Sequence, residues 1–158
     1  MPVIVNSAEV TKEADGDRLT TREKHGRVRV ARFTYTAPAA HADGSSVNLV
    51  TLPNNRVTVL GSMSHIRVSA LGASRVGAVG FRAFTKLDGT AQGAVVNAFA
   101  TAVNMASATT TMLTGNIAAA GMVLDLDSEQ GVTLMLTVTG GTIPSGATIK
   151  GVIAYVVD

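Results

Sequence analysis

Residues 132–157, VTLMLTVTGGTIPSGATIKGVIAYVV, decide how this chain folds. Two runs rich in Val, Ile and Thr flank a segment holding Gly140, Gly141, Pro144 and Gly146. Branching at Cβ restricts χ1 and suits a pleated surface, whereas glycine and proline close together reverse a chain. The stretch therefore reads as strand, turn, strand. In the second run Ile149, Ile153, Tyr155 and Val157 share one face, and Val152, Ala154 and Val156 share the other. Apolar residues on both faces predict a strand covered on both sides. Just upstream, residues 122–126 read as a strand, residues 128–131 as a turn, and Val132–Thr139 as the hairpin partner.

The same grammar extends toward the N-terminus. Val28 and Val30, then Phe33 and Tyr35, alternate with polar residues, and the phase slip at Ala31 and Arg32 predicts a bulge. Ser46–Leu52 follows the turn at Ala42, Asp43 and Gly44, and a further turn at Pro53, Asn54 and Asn55 leads into a strand over residues 56–60. Ile66 and Val68 share a face in the next run. Residues 75–85 place Val79, Phe81, Ala83 and Thr85 on one side, ahead of a turn at Leu87, Asp88, Gly89 and Thr90. Residues 94–120 carry a mixed signal. Phe99, Ala102, Val103 and Ala106 stand at helical spacing, while Thr109, Thr110 and Thr111 favour a strand, so a short helix or irregular crossover is predicted there. Short strands separated by turns at such intervals predict an all-β fold, an antiparallel β-sandwich or jelly-roll-like barrel. No internal repeat accompanies them.

Composition adds a division within the chain. Half of the Asp, Glu, Lys and Arg residues fall in the first 32 positions. Residues 1–26 read as an extended N-terminal arm and residues 27–158 as the body. The arm runs into a basic strip with Arg22, Lys24, Arg27, Arg29 and Arg32, opposed by Glu23. Such a strip serves as a solvated terminus, as an arm that orders against a neighbouring subunit, or as a set of phosphate contacts. Its shortness and lack of interleaved aromatics do not favour nucleic acid. Charged residues are only 15% of the chain, against roughly 25% in an ordinary soluble domain. A surface so poor in charge is either neutral, built of Ala, Gly and Thr, or is covered by neighbours in an assembly.

Chemistry is sparse. There is no Cys, which removes disulfides and thiol nucleophiles together. His25, His41 and His65 are far apart in sequence and lack the spacing of a helical metal pair. Asp125, Asp127 and Glu129 are the one carboxylate cluster, but no DxDxDG loop follows, and a solvated strand edge is the favoured reading over calcium. The glycines from Gly72 to Gly80 match neither a dinucleotide nor a P-loop pattern, and no Ser occupies a GxSxG elbow. No catalytic residue, metal or cofactor is expected. No apolar run approaches 18 residues and no signal peptide opens the chain, so synthesis in a cytoplasm and no membrane span are expected.

Residues 60–75 (LGSMSHIRVSALGASR), 84–89 (FTKLDG), 138–151 (VTGGTIPSGATIKG) and the final YVVD resemble small virion proteins of tailed bacteriophages over about residues 45–158. The resemblance implies a capsid decoration, or cement, protein. Such a protein is a β-sandwich or barrel seated on the outer capsid surface as a homodimer or homotrimer, clamping subunits of the major capsid protein, with no active site. Under that reading Arg22, Lys24, Arg27, Arg29 and Arg32 meet acidic capsid surface. Another virion part (a head fibre base, collar or tail protein) and a carbohydrate- or receptor-binding β-domain are the alternatives. The latter is disfavoured by the absence of Trp and the presence of only two Tyr.

Overall fold

A computed structural model describes residues 27–157. They form two antiparallel sheets. In the first, β1 (Arg29–Thr36) pairs with β12 (Thr148–Val157), and the far edge of β12 is shared by β3 (Asn55–Leu60) and β4 (His65–Val68). Outside those lie β10 (Val123–Ser128) against β3 and β9 (Thr109–Met112) against β4. The second sheet runs β2 (Ser46–Leu52), β11 (Val132–Thr139), β5 (Val76–Phe81), β8 (Val95–Asn104). A small hairpin of β6 (Phe84–Thr85) and β7 (Ala91–Gln92) projects from the β5–β8 connection. Since β3 with β4, and β9 with β10, are halves of interrupted rows, each sheet is four rows wide. The strand order is that of a jelly roll.

The alternation of each strand fills the space between the sheets. Val57, Val59, Ile66, Val68, Ile149 and Ile153 from the first sheet meet Val79, Phe81, Phe99, Leu134, Leu136 and Val138 from the second. On the core side of β12, Gly151 lies opposite Phe33, and a Cβ at Gly151 would collide with the Phe33 ring and the His65 carbonyl. The one break in the β12 ladder is sealed by a side chain. Opposite Ile153 and Ala154 the partner row becomes a 3-10 turn, Gly61–Met63. The fully buried Ser64 hydroxyl there accepts the Ala154 N–H at 2.9 Å and donates to the Leu60 carbonyl at 2.7 Å.

Several expectations need correction. The β1–β12 register runs unbroken from Arg29↔Tyr155 to Thr36↔Thr148, so there is no bulge at Ala31 and Arg32. The phase slip arises because Val28 and Val30 are exposed, on the side away from the core. β10 and β11 are not hairpin partners: β10 pairs with β3, β11 with β2 and β5, and residues 128–131 carry the chain from one sheet to the other. The strand expected over residues 75–85 ends at Phe81, leaving Ala83 and Thr85 exposed.

No helix forms over residues 94–120 beyond the 3-10 turn Ala118–Ala120, and the segment supplies β8 and β9 instead. Phe99, Val103 and Met105 are buried, whereas Ala102 and Ala106 are exposed. The helix-like spacing is produced by bulges. Between Val79↔Ala100 and Phe81↔Val95 the β8 chain advances much further than β5, and Ala102 takes a positive φ of 54°. The extra backbone of Val95 and Val96 crosses Gly80 so closely that a Cβ there would strike the Val95 carbonyl oxygen. The weak helical preference of Ala yields to pairing with the open edge of β5.

Candidate functional site

Alternation decides what each sheet shows to the outside. On the first sheet the outward positions around the middle of β12 include Val30, Arg32 and Thr34 of β1, Lys150 and Val152 of β12, His65 and Arg67 of β4, and Thr110 and Met112 of β9. Register joins them across the strands. Lys150 stands directly opposite Arg67, Val152 lies opposite both Arg32 and His65, and Thr110 and Met112 complete the two rows. Arg32, His65, Arg67 and Lys150 line one shallow depression on this face. Val30 and Met112, 57% and 45% exposed, flank it.

Outward groups on the second sheet answer one another. The hydroxyls of Ser46 and Thr137 are bonded at 2.8 Å, those of Thr51 and Thr133 at 2.9 Å. Arg82, the residue after β5, donates through Nε to the Asn48 side-chain oxygen of β2 at 2.5 Å, reaching across β11. Met135, opposite Asn48 on this outer side, is only 3% exposed.

The sequence-derived basic strip is divided by this geometry. Arg22 and Lys24 lie outside the described residues. Arg27 is exposed ahead of β1, and Arg29 and Arg32 are exposed on opposite faces of β1 because their positions differ by an odd number. Arg32 alone joins the cationic depression, with Arg67 and Lys150, which sequence reasoning did not single out. Both are the outward charges of otherwise apolar strands, but nothing in their spacing shows that β12 brings them face to face. His65, which has no metal-pair spacing in the sequence, belongs to the same cluster.

The remaining candidates do not gather into a site. His41 shares a 2.6 Å hydrogen bond with the Tyr35 hydroxyl between the edges of the two sheets, and His25 lies outside the described residues. Asp125 and Asp127 project outward from the edge strand β10, opposite Thr58 and Arg56, and the Thr58 hydroxyl donates to Asp125 at 2.6 Å. Among the described residues no three His, Asp or Glu side chains come together as metal ligands, and no helix is long and apolar enough to cross a membrane.

No family model and no curated protein matches this chain. Its fold does recur among solved structures. A chain in the capsid of Ralstonia phage GP4 superposes with a TM-score of 0.61 at 24% identity, covering 84% of this chain and 86% of that one. A chain of the cyanophage Pam1 capsid asymmetric unit superposes with a TM-score of 0.59 at 16% identity, covering 100% of both. At such identities the likeness is one of fold. This chain thus folds like chains of comparable size in two phage capsids.

Proposed function

We propose that this chain is a structural protein of a phage particle that binds the outer capsid shell and stabilises contacts between subunits of the major capsid protein. The observation that carries the reading is the end-to-end superposition on a chain of the Pam1 capsid. A jelly roll of this size, with 15% charged residues, fits a role in which neighbours cover much of its surface. Many copies on one shell multiply individually modest contacts into a large total. In this reading the protein acts as a homodimer or homotrimer on the capsid surface, residues 1–26 form an arm reaching a neighbouring subunit, and no catalysis is involved.

Electron cryomicroscopy of particles from a phage encoding this chain, with and without its gene, tests the proposal. The expected result is density at regular positions on the outer shell that vanishes with the gene, together with earlier heat-induced release of DNA. Density at the neck or tail instead supports a collar, fibre or tail role and overturns the shell assignment. Mass measurement of the isolated protein checks the oligomer: a dimer or trimer is expected, and a strict monomer removes that part of the reading.

A further inference from the structure

We infer that the outer face of the first sheet is a docking site for a carboxylate-bearing protein surface, centred on Arg32, Arg67 and Lys150; the identity of that partner as the capsid shell rests on the function proposed above. The three cations come from three adjacent strands and line a single depression. Lys150 and Arg67 stand directly opposite each other in the ladder, and Arg32 is one outward step along β12. Like charges directly opposite across strands destabilise a sheet. Here no hydrogen bond or ion pair to another described residue offsets the repulsion. The fold gains nothing from the arrangement, whereas an opposing row of carboxylates answers all three charges at once. Arginine is suited to this because its planar fork meets a carboxylate through two parallel N–H bonds.

The surroundings favour protein over nucleic acid. Val30 and Met112 flank the cations as exposed apolar contacts, and a mixture of Arg and Met with aliphatic side chains is typical of protein interfaces. The outward positions of β1, β12, β4 and β9 hold no Phe or Tyr on which a base would stack. The net charge of +2 is too small to give the broad phosphate attraction of a nucleic-acid binder.

The test uses the full chain and two probes. Titration with poly-L-glutamate at physiological salt, followed by amide NMR shifts, is expected to move resonances around Arg32, Arg67 and Lys150; shifts elsewhere, or none, overturn the proposal. Displacement of polyglutamate by duplex DNA at equal charge concentration overturns it as well. Lys150→Glu separates docking from folding. Placing Glu opposite Arg67 is expected to raise the melting temperature slightly while lowering occupancy on shells by about fivefold or more. Unchanged occupancy refutes the site. Wild-type protein that never decorates shells, yet gives the polyglutamate shifts at the patch, refutes the shell-binding function and leaves the docking site standing.

Discussion

The two outer faces of this jelly roll are built from the same pleat and differ in how their polar groups are answered. On the second sheet Ser46 bonds Thr137, Thr51 bonds Thr133 and Arg82 bonds Asn48, so each group has a partner within the chain. On the first, the Thr58 hydroxyl answers Asp125 at the β10 edge, but Arg32, Arg67 and Lys150 crowd one depression with no such partner among the described residues. A face that satisfies itself needs nothing further from outside. One that concentrates like charge is stable only to the extent that solvent, or another molecule, answers it. The contrast distinguishes a wall from a contact surface on two sheets that sequence alternation alone makes equivalent.

Main-chain crowding makes the second sheet most sensitive at Gly80. Gly80 is buried, and the β8 backbone at Val95 and Val96 leaves no space for a Cβ there. Gly80→Ala is expected to cost about 3 kcal/mol or to prevent folding, because the obstacle is main chain rather than a flexible side chain. Urea unfolding measures it, and a wild-type midpoint would show that the second sheet is not held by this close approach. Ser64→Ala, on the first sheet, is next in size. It strands the buried Ala154 N–H opposite the 3-10 turn, and loss of a buried partner costs about 1–3 kcal/mol. The paired hydroxyls of the second sheet are the control. Replacing both Thr51 and Thr133 by Val removes a mutually satisfied, solvent-exposed pair, so stability should change by no more than about 0.5 kcal/mol. A loss as large as that of Ser64→Ala would mean that the two sheets do not differ as described.

How much of this was legible beforehand follows from what alternation carries. It groups the residues that share a face of a strand, and so Phe33, Ile149 and Ile153 were readable as packed positions, and the all-β sandwich with them. It does not name a strand's partner. Residues 128–131 have the composition of a hairpin turn, yet β10 and β11 enter different sheets, which no local feature records. The β8 bulges go further and imitate a helix, because extra residues shift which side chains point inward without leaving a mark in composition. The cationic depression was illegible for the same reason. Basic residues near the N-terminus form a strip in sequence, but the strand period sends Arg29 and Arg32 to opposite faces. Arg67 and Lys150 come together only through the β4–β12 register.

The smallest expected effect lies at the tip of the β6–β7 hairpin, which follows the habit of the second sheet. The Asp88 carboxylate accepts the Thr90 hydroxyl at 2.6 Å and the Thr90 N–H at 2.9 Å. These two bonds, the hydroxyl first, and the nearby Lys86 charge draw the Asp88 carboxyl below the ordinary Asp value of 3.8. A carboxyl with a lower pKa in the folded than in the unfolded chain stabilises the fold above the unfolded value, and that contribution is lost as pH falls through the folded value. Because Asp88 is fully exposed, the melting temperature should hardly register the loss. The titration of the group itself should: the Asp88 side-chain carbonyl resonance is expected to have its midpoint below 3.8, and Thr90→Val to move it back toward 3.8. A midpoint indifferent to Thr90 would mean that the hairpin tip does not close on its own carboxylate, and that self-satisfaction stops at the edge of the sheet.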